Sequence, residues 1–210
     1  MNWLIYLMLA VAFFMVATTS IKGMVRLLAI QSLTLALLGL LMGYFTGFRE
    51  FYIAAILTFT MKGLLIPYIL LFTINRVNVS QEVEPFIGIK KSLLICLCLV
   101  FLAFEILPPD ILAQEGFANG TIPIAVSLAL IGLFLMIARK KALVQIIGLL
   151  VMENGLYLLG MSATYGMPFL VEMGVFLDLV VGALLMGVLT FRISKNFDSI
   201  DTNELNRLKG

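Results

Sequence analysis

Seven long apolar runs, separated by short polar or basic stretches, leave this chain few folds to choose from. Each run is roughly 16–24 residues, enough for a helix to cross a hydrocarbon core of about 30 Å directly or with modest tilt. In hydrocarbon, every backbone N–H and C=O must be satisfied within the segment, so such runs form helices. They fall at about 2–20, 28–46, 51–74, 92–107, 122–138, 142–163 and 169–191. Lys22 and Arg26 mark a short basic loop after the first run, and Gly47, Arg49 and Glu50 a turn after the second. Pro108, Pro109 and Asp110 stop the fourth, since paired prolines cannot continue a helix. No basic residue precedes the first run and no clear small-residue cleavage site follows it, so it reads as a retained helix rather than a signal peptide. The expected fold class is an all-α integral membrane protein with about seven transmembrane helices.

Composition narrows what such a bundle can do. Of 210 residues, 62% are hydrophobic and 12% charged, about half the charge fraction of soluble domains. A large extramembrane site and a nucleic-acid partner are therefore not expected. The chain has no histidine, and its two cysteines, Cys96 and Cys98, share one apolar run. That excludes histidine-ligated haem, the histidine ligands of a zinc enzyme and a four-cysteine iron–sulfur site within this chain. No cofactor is expected in it. Residues two apart on a helix point to different sides, so core packing is expected of the cysteines rather than a disulfide.

The charges give the orientation. With seven spans, twelve Lys and Arg residues, from Lys22 and Arg26 to Arg207 and Lys209, fall on one side of the membrane. The other side receives only Arg49, and Lys62 is intramembrane. By the positive-inside rule the N-terminus is outside and the C-terminus cytoplasmic. The expected localisation is the cytoplasmic membrane of a prokaryote.

The chain also resembles itself. Lys22 and Arg26 precede the second run as Arg139, Lys140 and Lys141 precede the sixth. Gln31 lies five residues after Arg26, and Gln145 five after Lys140. Lys62 lies 14 residues before Arg76, and Asp178 14 before Arg192. Two parallel three-helix units joined by a linker helix are the expected organisation. The segments are 1–76, a linker at 77–121, 122–193 and a cytoplasmic tail at 194–210.

The chemistry is carried by the charges inside the runs: Lys62, Glu153, Glu172 and Asp178. Intramembrane ionisable residues cost on the order of 3 kcal/mol on insertion scales and usually line ion or proton paths. Counted from the cytoplasmic basic residues, Glu153 lies at a depth of ~18 Å and both Lys62 and Asp178 at ~21 Å, near mid-membrane. Glu172 stands about 9 Å nearer the outside. One reading is a buried ion pair that only locks the bundle. The other is a relay, because one lysine cannot neutralise several acids, and an excess acid must protonate, find a partner on another subunit or face water. Asn154, beside Glu153, can hydrogen-bond across helices or hold a water. Pro67, five residues after Lys62, is expected to break a backbone hydrogen bond and bend the helix beside the lysine.

Arg139–Lys140–Lys141, then Gly148–Leu149–Leu150, then Asp178 with Gly182 and a helix ending at Arg192 resemble the K-type subunit of respiratory complex I. They equally resemble the C subunit of Mrp-type sodium/proton antiporters. The family's second buried acid matches Asp178; its first falls at Leu150, with Glu153 one turn later. Over its whole length the chain resembles the HyfE family, the component-E membrane subunits of energy-converting, formate-hydrogenlyase-type hydrogenases. Gln31–Ser32, Lys62 with Pro67, Met152–Glu153–Asn154–Gly155, Glu172 through Asp178 and Leu208–Lys209–Gly210 carry that likeness.

The resemblance implies a non-catalytic subunit, set between antiporter-like membrane subunits and a complex I-like membrane anchor subunit. It also implies [NiFe] and iron–sulfur centres on hydrogenase-like soluble partners. In this reading Glu153 and Asp178 are relay acids for protons or sodium ions, Lys62 the switching counter-charge and Glu172 the outer mouth, with Asn154, Gln31 and Pro67 in support. The alternatives are a subunit of a multi-chain cation/proton antiporter without redox chemistry, and a structural spacer in the membrane arm.

Overall fold

The computed structural model of the chain describes residues 2–76, 87–107 and 120–164, with the single positions 174 and 182. Every element among them is a helix. The first is α1 (Asn2–Ala17), followed by α2 (Ile21–Thr46). The Ser20 hydroxyl accepts from Gly23 N–H at 3.4 Å, satisfying one of the donors that a helix start leaves open. This cap starts α2 ahead of its apolar run. Lys22 and Arg26 therefore stand in its first turns and not in a loop, a correction that hydropathy alone could not supply. Gly47 ends α2 with φ 75° and donates its N–H to Gly43 O at 2.9 Å. A left-handed residue at this position favours glycine.

The third apolar run forms one right-handed rod in three parts: α3 (Arg49–Thr58), a π-helical segment (Phe59–Leu65) and α4 (Ile66–Arg76). Within it, Ile66 N–H donates to Met61 O, five residues back rather than four. Pro67 accounts for the widening. It offers no N–H to the carbonyls of Gly63 or Lys62, and its ring crowds the carbonyl four residues back. The expected backbone disturbance beside Lys62 thus takes the form of a π turn, a feature that recurs at functional sites.

After α5 (Ile89–Ile106) come α6 (Thr121–Ala138) and α7 (Ala142–Thr164). Among the described residues, four helical stretches are long and apolar enough to cross a membrane: Ile21–Thr46, Arg49–Asn75, Thr121–Ala138 and Ala142–Ser162. α1 is shorter, at 16 residues, and α5 carries Lys90 and Lys91 near one end and Glu105 near the other.

The tightest seam joins α6 to α7. A Cβ at Gly155 would stand 2.5 Å from Ala129 N and 2.8 Å from Ala125 O, and one at Gly148 2.9 Å from Gly132 O. Glycines here let two backbones touch, as small residues do at helix interfaces in membranes. α1 packs against α2 and α6, and α2 against α1, the third rod and α7. The core between them holds Met8, Met15, Met24, Leu28, Leu35, Leu128, Ile131 and Ile147, all essentially inaccessible. Cys96 is buried there; Cys98 is exposed, and neither forms a disulfide.

Arg139 is not the free cytoplasmic marker that its place in a basic triplet suggests. It is 1% exposed, and its Nη2 donates to Val16 O at 2.8 Å. That carbonyl lies in the last turn of α1, where helix carbonyls lack partners and the dipole favours a cation. Burial pushes this guanidinium below the ordinary arginine value. Gln145 Nε2 in turn donates to Arg139 O at 3.0 Å, so the α6–α7 turn is fastened to the end of α1.

Candidate functional site

Two charges meet inside this bundle. Lys62 projects from the π segment, and Glu153 stands eleven residues into α7, roughly 17 Å along its axis. Lys62 Nζ lies 2.7 Å from Glu153 Oε1, and the two side chains are 3% and 4% exposed. Gly63 packs beside this contact. A Cβ there would stand 2.9 Å from Leu33 Cδ2, so the π segment sits close on α2 and the lysine stem reaches past it to α7.

A chain of amides flanks the pair. Asn154 Nδ2 donates to Gln31 Oε1 and to Ser32 Oγ, each at 3.3 Å. Gln31 Nε2 donates to Met8 O at 3.2 Å. All three side chains are buried, so their bonds tie α7 to α2 and α2 to α1 where no water competes. Asn154 Oδ1 is buried and accepts no hydrogen bond among the described residues. Tyr157 lies one turn beyond Glu153 on the same face of α7. Its ring centroid is 5.7 Å from Lys62 Nζ, within cation–π range.

Lys62, Glu153, Asn154 and Gln31, all singled out in the sequence, are brought together. Pro67 is buried five residues past Lys62. Glu172 and Asp178 lie outside the described residues. Gly174, between them in sequence, is placed so that a Cβ on it would stand 3.4 Å from Tyr157 Cε2. Gln145, the repeat counterpart of Gln31, is exposed and binds its own turn. Tyr157 and the Met8 carbonyl escaped the sequence reading. The first had a signal in its four-residue spacing from Glu153; a backbone carbonyl has none. Among the described residues no group of three or more Cys, Asp or Glu could hold a metal ion. The chemistry available is proton gain and loss at a carboxylate whose counter-charge sits on a flexible stem.

Residues 122–210 match the family described as NADH-ubiquinone/plastoquinone oxidoreductase chain 4L. Over 190 residues the chain is 32% identical to the uncharacterized protein Rv0085 of Mycobacterium tuberculosis, covering 90% of this chain and 86% of that one. It is 25% identical over 209 residues to hydrogenase-4 component E of Escherichia coli K12, covering 100% of this chain and 97% of the relative. The Shigella flexneri protein of the same name matches to the same extent. No solved structure matches the chain.

Proposed function

We propose, on the premise that this chain belongs to the hydrogenase-4 component E family, that it is a membrane subunit of a complex I-related, energy-converting hydrogenase-type complex. In this reading it moves protons or sodium ions through its buried charges while redox chemistry runs on other subunits. The observation that carries the reading is the Lys62–Glu153 pair, 2.7 Å apart and all but inaccessible. A charge at the bilayer centre costs about 2.5–3.5 kcal/mol on insertion scales. Apolar residues of similar volume would often pack a bundle as well or better, so packing alone does not account for the pair.

Glu153 takes the proton as a neutral carboxyl, and Lys62, still charged, changes partner. When the proton leaves for the next acid, Asp178, the pair re-forms. Glu172 serves the outer mouth. Asn154, Gln31 and Pro67 hold the geometry: the amides fix the azimuth of α7, and the proline keeps the π turn that presents the lysine.

The same reading takes seven spans in two parallel units, an outer N-terminus and a cytoplasmic C-terminus, in a prokaryotic cytoplasmic membrane. The partners are antiporter-like membrane subunits, a membrane anchor subunit and soluble subunits holding [NiFe] and iron–sulfur centres. This chain has no catalytic chemistry of its own.

A structural spacer is the competing reading, and the direct contact of Lys62 with Glu153 favours it. Charge exchange separates the two. A Lys62→Glu/Glu153→Lys double variant keeps the pair, so a spacer tolerates it, whereas a relay assembles and fails to pump.

Purification of the tagged chain in mild detergent, with every co-purifying subunit identified by mass spectrometry, tests the assignment. Iron–sulfur proteins and a [NiFe]-type large subunit support it. Antiporter-like membrane proteins alone would move the chain to a cation/proton antiporter and remove the redox role.

A further inference from the structure

We propose that the outward face of α5 seats one anionic phospholipid, with Lys90 and Lys91 at its phosphate and the apolar stripe beyond them along an acyl chain. The proposal rests on α5 lying in the membrane, as the seven-span reading has it, and is independent of the relay.

Helical spacing gives α5 two faces. Ser92, Cys96 and Ala103 are buried, as expected of the side that packs against α1 and α6. Lys90, Leu94, Leu97 and Phe101 recur at intervals of four, three and four, so they form one stripe. It lies about half a turn round the helix from the buried residues. Leu94, Leu97 and Phe101 are 62%, 58% and 65% exposed, and Lys90, Lys91 and Cys98 are exposed with them. Two hollows open along this helix. One, of about 760 Å³, is bordered by Gly88, Lys90, Lys91 and Ile95. The other, of about 890 Å³, lies along residues 94–104 and is almost wholly apolar. Ile95 borders both, so a basic mouth opens into an apolar trough.

The mouth calls for an anion. Among the described residues no carboxylate pairs with Lys90 or Lys91. No acid stands in the first turn of α5, where the helix dipole disfavours cations. Cys96 lies within electrostatic reach of Arg139, which places a third cation at this end of the helix. At the far end Glu105 is exposed, roughly 22 Å along the axis from Lys90. An anionic headgroup is therefore attracted at one end and repelled at the other, which fixes its leaflet. From Lys90 to Phe101 the stripe runs about 17 Å, close to half of a hydrocarbon core of about 30 Å. A soluble phosphate would leave the trough unused, and a lipid without net charge would leave the lysines unanswered. Basic pockets on the cytoplasmic side of membrane helices bind anionic headgroups by this chemistry.

The test is photolabelling of the assembled complex in phosphatidylcholine vesicles. These are doped with either phosphatidylglycerol or phosphatidylcholine bearing a diazirine on an acyl chain, and labelled peptides are mapped by mass spectrometry. The expected result is label within residues 94–101, with the phosphatidylglycerol probe favoured about fivefold per lysine. That preference is lost in Lys90→Gln/Lys91→Gln and kept in Lys90→Arg/Lys91→Arg. Equal labelling by the two probes, a preference that survives Lys90→Gln/Lys91→Gln, or loss of label to inorganic phosphate alone overturns the proposal. Absence of label from both probes overturns it too, and a water-soluble maleimide then separates the causes. Reaction at Cys98 puts α5 outside the membrane and overturns the seven-span reading as well, whereas an unreactive Cys98 leaves that reading standing and gives the face to another subunit.

Discussion

Replacing Lys62 by methionine keeps the length of the side chain and removes its charge. The Glu153 carboxylate then loses a partner 2.7 Å away at a site where both side chains are under 5% exposed. At an effective dielectric of 20, two unit charges at that separation attract by about 6 kcal/mol. Desolvation offsets much of this, and removing one member of a buried pair costs about 3–5 kcal/mol in measured cases. For a chain of this length, each kcal/mol corresponds to roughly 2–4 °C in melting temperature. Lys62→Met is thus expected to lower the thermal midpoint of the detergent-solubilised complex by roughly 6–20 °C. The Lys62→Met/Glu153→Met double variant removes both charges, and its expected midpoint is at or above that of the parent. Intrinsic fluorescence or subunit loss on heating measures both. A Lys62→Met midpoint within a few degrees of the parent, or a double variant as labile as the single, refutes the argument that the pair is a buried, mutually compensated charge.

Four further outcomes follow from the packing and the polar contacts. Gly155→Ala places a Cβ against the Ala129 and Ala125 backbone and is expected to cost about 1–3 kcal/mol or more, read as loss of the chain from membranes. Gly88→Ala meets nothing within 4 Å and should fall within about 0.5 kcal/mol of the parent. Arg139→Ala removes the donor to Val16 O and is expected to cost about 1.5–3 kcal/mol, seen as faster proteolysis at the α1–α2 turn. Asn154→Leu and Gln31→Leu break one shared bond, so a double-mutant cycle in thermal midpoint should show coupling of about 0.6–1.7 kcal/mol; strict additivity would mean that the bond contributes nothing.

The helices at the fifth and sixth runs were legible because hydrocarbon permits little besides a helix, and these runs match α6 and α7 to within a residue. The meeting of Lys62 and Glu153 was legible as depth: counting inward from the basic residues put both near mid-membrane before any contact was known. What escaped is what hydropathy does not encode. Pro67 signalled a disturbed helix, but whether it yields a kink or a π turn depends on how the rod seats against Leu33 and α2. Arg139 looked like one of three exposed basic residues, yet the α1 carbonyls that claim it are 123 residues away in sequence. Gln31 and Asn154 were visible as polar residues in apolar runs, and their bond, also across 123 residues, needed the α2–α7 contact to exist. Tyr157 had only its four-residue spacing from Glu153 to mark it, and the geometry sets its ring beside an ammonium.

The central claim is that ions pass by way of Glu153, and the most direct test is the number of ions moved per electron by the assembled complex carrying Glu153→Gln. The account predicts complete assembly, with electron transfer continuing and ion movement lost or severely reduced; Asp178→Asn should behave in the same way. An assembled Glu153→Gln complex that moves the parent number of ions per electron would contradict it and leave the buried pair a structural lock.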